Sequence, residues 1–219
     1  MEEKITGCDF MNISVRICPL APLGTNCYII KAENGDAAVI DPASFGPALR
    51  RVMEEEGISE LKYILLTHGH FDHITGADKF RQSFGGKIAI HRLDAPCLES
   101  SNESRAAMFG YPFRAFKEDI ILEDGDTLDF GDGEIRVMHT PGHTVGSVCF
   151  IMGNNLFSGD TLFRLSVGRT DFPGGSMTEM MSSVKKLKAL EGFYKVYPGH
   201  EAVSDLDYEK AYNPYMKGI

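Results

Sequence analysis

The segment Thr67-His68-Gly69-His70-Phe71-Asp72-His73 packs three histidines and an aspartate into six residues, His68 to His73. Imidazole nitrogen suits zinc, iron and manganese, and a carboxylate supplies a terminal or bridging oxygen. His68 and His70 are two residues apart, so in extended or turn backbone their rings can converge on one ion. Asp72 and His73 are adjacent, where the chain turns into a helix, and can serve a second ion beside the first. The chemistry such a centre offers is activation of water for attack on an electrophile. Three more residues stand in related settings: His143 in Thr140-Pro141-Gly142-His143-Thr144, Asp160 in Ser158-Gly159-Asp160-Thr161, and His200 in Tyr197-Pro198-Gly199-His200. Each follows a strand-to-loop transition, where open sheets place functional residues. Of the remaining histidines, His91 and His139 sit at strand ends and fit a structural or supporting role. Asp41 ends the run Val39-Ile40-Asp41; it either orients a ligand histidine from behind or caps the turn at Pro42.

The elements that must position these residues are readable in outline. Ile13 to Cys18 alternates as a strand. Gly24-Thr25-Asn26 reads as a turn into a second strand, Cys27 to Lys31, and Asn34-Gly35-Asp36 as a hairpin into Ala37 to Asp41. Pro47 to Glu56 is expected as a helix stopped by Gly57. Leu61 to Leu66 is almost wholly apolar, as in a strand buried on both faces. Ile74 to Phe84 reads as a helix ending at Gly85-Gly86, and Lys87 to His91 as a strand. Residues 99–119 mix polar residues with Phe109, Tyr111, Phe113 and Phe116; they form either a surface excursion with anchoring aromatics or a loop that walls a substrate pocket. Further strands are expected at Thr127–Phe130, Glu134–His139, Ser147–Met152, Asn155–Ser158 and Tyr194–Tyr197. Met177 to Leu190 is amphipathic, with Met177, Met180, Met181, Val184 and Leu187 at helical spacing, a stripe that belongs to a core. A last helix is expected from Leu206 to Lys217. Two rounds of strands then helix suggest approximate halves meeting near residue 120, in one α/β domain spanning 1–219.

With 219 residues, the chain can bury a substantial core without disulfide or metal staples, which leaves metal ligands free for chemistry. A net charge of −9 with no basic run argues against nucleic acid, yet permits a small anionic substrate held by a few cations. The five cysteines, Cys8, Cys18, Cys27, Cys97 and Cys149, are scattered and odd in number, as expected of free thiols in a cytoplasmic protein. Met1-Glu2-Glu3-Lys4 leads into no long apolar run and no stretch approaches a membrane span, so neither export nor membrane insertion is expected.

With these residues in this order, the chain resembles the metallo-β-lactamase fold hydrolases. The matching elements are Asp41, Thr67–His73, Thr140–His143, Gly159-Asp160 and Gly199-His200. The resemblance implies a four-layer αββα sandwich with the metals at one edge between two similar halves. Gly24-Thr25-Asn26-Cys27-Tyr28, Gly168-Arg169-Thr170-Asp171-Phe172-Pro173-Gly174-Gly175 and Asn213-Pro214-Tyr215 resemble the short bacterial branch of the glyoxalase II group, the hydroxyacylglutathione hydrolases. Carried over by motif, one metal takes His68, His70 and His143, the other takes Asp72, His73 and His200, and Asp160 bridges them. The chain departs from the group in two places. Glu201 follows His200 where the short branch often shows glycine, and the resemblance does not extend to the C-terminal helical region that helps hold glutathione in the long enzymes.

The function this implies is hydrolysis of a thioester such as an S-2-hydroxyacylglutathione by a hydroxide held between two divalent ions, zinc first, with iron or manganese as alternatives. Asp72 and Asp160 are the catalytic carboxylates of that scheme. A persulfide dioxygenase is the rival enzyme: it shares a segment like Gly168–Phe172 and would use one iron on His68, His143 and Asp160. A non-catalytic metal-bound scaffold is the rival of another class. A β-lactamase role is not expected without an exported segment. The partner is a small thioester or ester, with no nucleic acid and no membrane, and the protein is a monomer or homodimer. Arg164 and Arg169 either meet a substrate carboxylate or form internal ion pairs, for example with Asp171; Tyr111 and Phe113 could line the pocket.

Overall fold

A computed structural model describes residues 11–218; the N-terminal stretch and Cys8 lie outside the described residues. The chain opens as an antiparallel meander, β1 (Ile13–Leu20), β2 (Thr25–Ala32) and β3 (Ala37–Ile40). Helix α1 (Pro47–Glu55) then crosses to β4 (Tyr63–Leu65), which pairs parallel with β3. Two short helices, α2 (Phe71–Ile74) and α3 (Ala77–Phe84), lead to β5 (Lys87–His91). A 3-10 turn at Ala95–Leu98 and an irregular excursion precede β6 (Ile120–Leu122). These strands form one sheet in the order β1-β2-β3-β4-β5-β6.

The second sheet is built from the rest of the chain. Strands β7 (Thr127–Phe130), β8 (Gly133–His139), β9 (Val148–Met152) and β10 (Asn155–Gly159) form an antiparallel run. A small ribbon of β11 (Leu162–Phe163) and β12 (Ser166–Val167) follows, then α4 (Met177–Lys188). β13 (Lys195–Pro198) returns parallel to β10, and β14 (Ser204–Asp205) runs into α5 (Leu206–Tyr212). The sheet order is β14-β13-β10-β9-β8-β7, so the chain passes from one sheet to the other between Leu122 and Thr127.

Side-chain alternation makes the layers. In β2, Cys27 and Ile29 face the core shared with α1 and α3, while Tyr28 and Ile30 face the other sheet. In β9, Phe150 and Met152 face the first sheet, while Cys149 and Ile151 pack on α4 and α5. Three apolar interfaces therefore stack helix, sheet, sheet and helix, the αββα sandwich. Met180, Val184 and Leu187 of α4 are buried in the outer interface, while Met177 at its start is 46% exposed.

Some boundaries differ from those read in the sequence. Thr25 and Asn26 are the first residues of β2 rather than a turn, because both side chains find buried partners described below. The helix expected over 74–84 begins earlier and breaks at Thr75-Gly76, where Gly76 N donates to Pro42 O and Thr75 Oγ1 to Ala43 O. The last helix stops at Tyr212. There Asn213 caps it and sends its amide to the Ser166 carbonyl at 3.0 Å and to Glu209 Oε2 at 2.9 Å, and Pro214 cannot continue the ladder. Four strands of two or three residues, β6, β11, β12 and β14, have no signature in the sequence.

Candidate metal centre

The seven residues singled out in the sequence meet at one edge of the two sheets. His68 and His70 follow β4; Asp72 and His73 form the first turn of α2; His143, Asp160 and His200 follow β8, β10 and β13. Main-chain bonds stitch this edge together: Val148 N to Thr67 O at 2.8 Å, Gly199 N to Gly159 O at 2.8 Å, and Asn26 N to Gly199 O at 2.7 Å.

Two trios of ligand atoms result. One atom each from His68, His70 and His143 lie within 4.8 Å of one another, and so do one each from Asp72, His73 and His200. His70 Nδ1 stands 2.9 Å from His143 Nε2, and His73 Nε2 stands 3.2 Å from His200 Nε2. Asp160 lies between the trios. Its Oδ2 is 3.4 Å from His143 Nε2 and 3.7 Å from His200 Nε2, and its Oδ1 is 3.5 Å from His73 Nε2. A third set, His68, His73 and Asp160, spans the same space.

The side chains fit resident cations. His68 Nε2 and Asp160 Oδ1 are buried with no hydrogen-bond partner, a costly condition for polar atoms unless something satisfies them. Five imidazole nitrogens and two carboxylates facing one another form the donor set of a zinc, iron or manganese site. The ring nitrogens turned away from the cluster are held. His143 Nδ1 is 2.8 Å from the Arg169 carbonyl and His73 Nδ1 is 2.9 Å from Asp41 Oδ2, which fixes the tautomer that leaves Nε2 facing inward.

Asp41 also accepts from Thr67 N at 2.8 Å and Thr67 Oγ1 at 2.6 Å, so of its two sequence readings the orienting one is seen. Asp94 does comparable work for the other trio. It accepts from Gly69 N at 2.8 Å, Thr144 Oγ1 at 2.7 Å and Gly146 N at 2.9 Å, tying the loop of His68 and His70 to the loop of His143. The loop of His200 is held from β2. Asn26 Nδ2 donates to the Pro198 carbonyl at 3.0 Å and the Glu201 carbonyl at 2.9 Å, Tyr28 Oη donates to Pro198 O, and Thr25 Oγ1 donates to Asp72 Oδ2 at 3.2 Å. Two glycines let backbone come this close: a Cβ on Gly199 would stand 2.2 Å from Asp160 Oδ1, and one on Gly168 would stand 1.9 Å from the Asp160 carbonyl.

The trios differ electrostatically. Burial, reinforced by neighbouring histidines, pushes His68 and His70 well below the ordinary histidine value. Burial acts the same way on His73, but Asp160, Asp72 and Asp41 outweigh it and raise this ring to about 10. His200 is raised as well, its desolvation overcome by the hydrogen bond to Asp72 and the charge of Asp160. Burial would raise Asp72, but His73 and His200 hold its carboxyl well below the usual range. Without an ion, His68 and His70 are neutral, while His73 and His200 hold protons where a cation would sit.

Other residues singled out lie apart from the cluster. His91 and His139 stack on each other, with centroids 4.2 Å apart and planes 8° apart, and His139 Nε2 is 2.9 Å from the Val145 carbonyl. Arg169 pairs with Asp171 through Nε and Nη2, each at 2.7 Å, and lies over the Phe172 ring. Arg164 stacks on Tyr208. Tyr111 and Phe109 pack on Phe71, while Phe113 and Phe116 join the first-sheet core rather than a pocket. Phe172 stands edge-on to His70 at 5.9 Å and Phe109 lies 6.3 Å from Phe172, an aromatic ledge beside the centre. The supporting roles of Thr25, Asn26, Tyr28 and Asp94 were not read from the sequence. The first three lie in a segment whose only signal was its resemblance, and Asp94 had none.

Residues 20–200 match a family model described as the metallo-beta-lactamase superfamily. Among curated relatives, the hydroxyacylglutathione hydrolase GloC of Haemophilus influenzae is 34% identical over 209 residues, covering 93% of this chain and 98% of that one. Among solved structures, the BLEG-1 B3 metallo-beta-lactamase superposes with a TM-score of 0.87 at 32% identity, covering 94% of this chain and all (100%) of the other. TTHA1623 in a di-iron-bound form gives 0.82 at 33% identity, covering 92% and 100%. ETHE1 from Myxococcus xanthus gives 0.75 at 26% identity, covering 92% and 83%.

Proposed function

Because the chain belongs to the metallo-beta-lactamase superfamily, we propose that it is a two-metal hydrolase that cleaves a small thioester of the S-2-hydroxyacylglutathione kind. His68, His70 and His143 would hold one ion; Asp72, His73 and His200 would hold the other; Asp160 would reach both. The observation that carries this reading is the position of Asp160 between two complete trios, with its Oδ1 and His68 Nε2 buried and unpartnered. When bound, such ions lower the pKa of water toward neutrality and polarise an acyl carbonyl. The remaining work belongs to the chain. Asp72 and Asp160 would offset part of the charge of the two ions, and Asp160, between the trios, would be held by both. Asp41 and the Arg169 carbonyl hold a proton on Nδ1 of His73 and His143, so that Nε2 is the atom turned toward the ions. Phe172 and Phe109 shield one side of the centre from solvent.

Zinc is the ion this donor set suits first, with iron or manganese as alternatives. The net charge of −9 supports a small-molecule substrate over nucleic acid, and free thiols at Cys18, Cys27, Cys97 and Cys149 support a cytoplasmic setting. The name of the GloC relative supports the thioester. The test is metal analysis of protein purified without added metal, followed by turnover of S-lactoylglutathione, simple thioesters and a β-lactam. Two ions per chain and thiol release from a thioester are expected. Turnover of the β-lactam alone overturns the substrate; one iron per chain with oxygen uptake on glutathione persulfide replaces the reaction class.

A further inference from the structure

Beside the metal centre, sharing His70 with it, lies a cavity of about 230 Å³. Complete ligands usually occupy roughly 300–1,000 Å³, so this space suits one arm of a substrate. Leu93, Pro96, Val145 and Pro173 give it apolar walls, and Leu93 and Val145 are 42% and 41% exposed at its rim. Besides His70, three acidic or basic residues line it: the buried Asp94, whose carboxylate already accepts from Gly69 N, Thr144 Oγ1 and Gly146 N, the exposed Glu103 and the half-buried Arg105.

Arg105 is held in place but not neutralised. Its backbone is in the left-handed region at φ 67°, a conformation that costs energy for a residue with a side chain. One guanidinium nitrogen donates to the Asn102 carbonyl at 3.2 Å and the other to the Pro173 carbonyl at 2.7 Å. Its Nε is buried with no partner, and no carboxylate among the described residues pairs with it. The two carbonyls accept hydrogen bonds but carry no charge. A partly desolvated guanidinium in that state favours an anion, and its planar fork matches a carboxylate. The two arginines that the sequence offered for this role are engaged elsewhere, Arg169 with Asp171 and Arg164 with Tyr208.

We propose that this cavity is a subsite for a carboxylate-bearing arm of the substrate, with Arg105 as the residue that selects it. The apolar walls accept a short methylene stem, and Glu103 in the same cavity disfavours a second negative charge, so the arm is a monoanion or a zwitterion. This rests on the thioester reading for the reaction but not for the binding.

The experiment uses metal-loaded protein and thioesters matched in length. S-acetyl-3-mercaptopropionate is compared with S-acetyl-propanethiol, and S-succinyl-propanethiol with S-butanoyl-propanethiol. In at least one pair the charged member is expected to have kcat/KM about 10-fold higher, mostly through KM, as one charge-assisted contact provides. In Arg105→Gln that ratio falls to about one, Arg105→Lys restores part of it and Arg105→Glu inverts it. A purely structural role changes both members of a pair alike and leaves the ratio untouched, which overturns the proposal, as does the absence of a preference in both pairs. Binding of the thioether 3-(butylthio)propanoate is measured alongside. Its Kd is expected to weaken about 10-fold in Arg105→Gln, and an unchanged Kd overturns the subsite. If no thioester is turned over, the proposed reaction fails while this Kd still decides the subsite.

Discussion

The two trios share one wall of the molecule yet are built on opposite electrostatic plans. The trio of His68, His70 and His143 contains no carboxylate, and burial holds His68 and His70 well below the ordinary histidine value. The trio of Asp72, His73 and His200 is surrounded by Asp41, Asp72 and Asp160, which raise His73 to about 10. A cation entering the first meets unprotonated nitrogens on His68 and His70, whereas one entering the second must displace protons from His73 and His200. Their scaffolds differ in parallel. Asp94 ties the first trio across the two sheets through backbone N–H groups and Thr144, while Asp41 holds His73 of the second directly. The lesson is that adjacent sites assembled from one ligand vocabulary can differ in proton linkage, and Asp160, which lies between them, is the residue proposed to couple them.

Removing that coupler should have the largest effect. Asp160→Ala is expected to lower kcat/KM by about 1,000-fold, roughly 4 kcal/mol of transition-state stabilisation, and to reduce metal content at both trios. Full activity with two ions retained would break the comparison. Asp72→Ala should act on one side only: metal analysis is expected to fall from two ions per chain to one, with hydrolysis largely lost. A loss of both ions would mean that the trios are not separable. Asp41→Asn should weaken the second ion by about 10- to 100-fold, the usual cost of removing a partner behind a ligand histidine, and the first by far less, as metal titration would read.

The smallest effect concerns the metal-free protein. His68 and His70 take up protons near pH 6.5 when unfolded but resist them when folded. Stability should therefore fall as pH drops below about 6.5. His73 works in the opposite sense. Its contribution is complete below pH 6.5 and is lost as pH rises from there to about 10. The chelated protein should show a Tm maximum near neutrality with flanks a few degrees lower. His70→Gln should flatten the acid flank and Asp41→Asn the alkaline one; the reverse pairing would contradict the assignment.

What could be read in the sequence follows from locality. Each ligand motif is a short run at the end of an apolar strand, so its chemistry and its position declare themselves together, as in Ile64-Leu65-Leu66 before Thr67 to His73. The layers follow from alternation in strands such as β2 and β9. The remainder depends on contacts made only after folding. Thr25 and Asn26 look like turn residues because their composition is that of a turn, yet their partners lie 47 and 172 residues away. Asp94 is one carboxylate among 31 acidic residues until the two sheets bring Gly69, Thr144 and Gly146 to it. Arg105 is likewise ordinary in sequence. Phe116 looks like a surface anchor but is buried in the core of the first sheet, because the 99–119 segment folds back before β6 and Phe116 N donates to Leu98 O at 3.0 Å.

The central claim is that two ions sit side by side with Asp160 between them. Anomalous diffraction from a crystal of the metal-loaded protein tests it directly. Two peaks are expected roughly 3.5–4 Å apart, one within bonding distance of His68, His70 and His143, the other of Asp72, His73 and His200, with Asp160 reaching both. A single fully occupied peak, or a second ion away from Asp72, His73 and His200, would contradict the account.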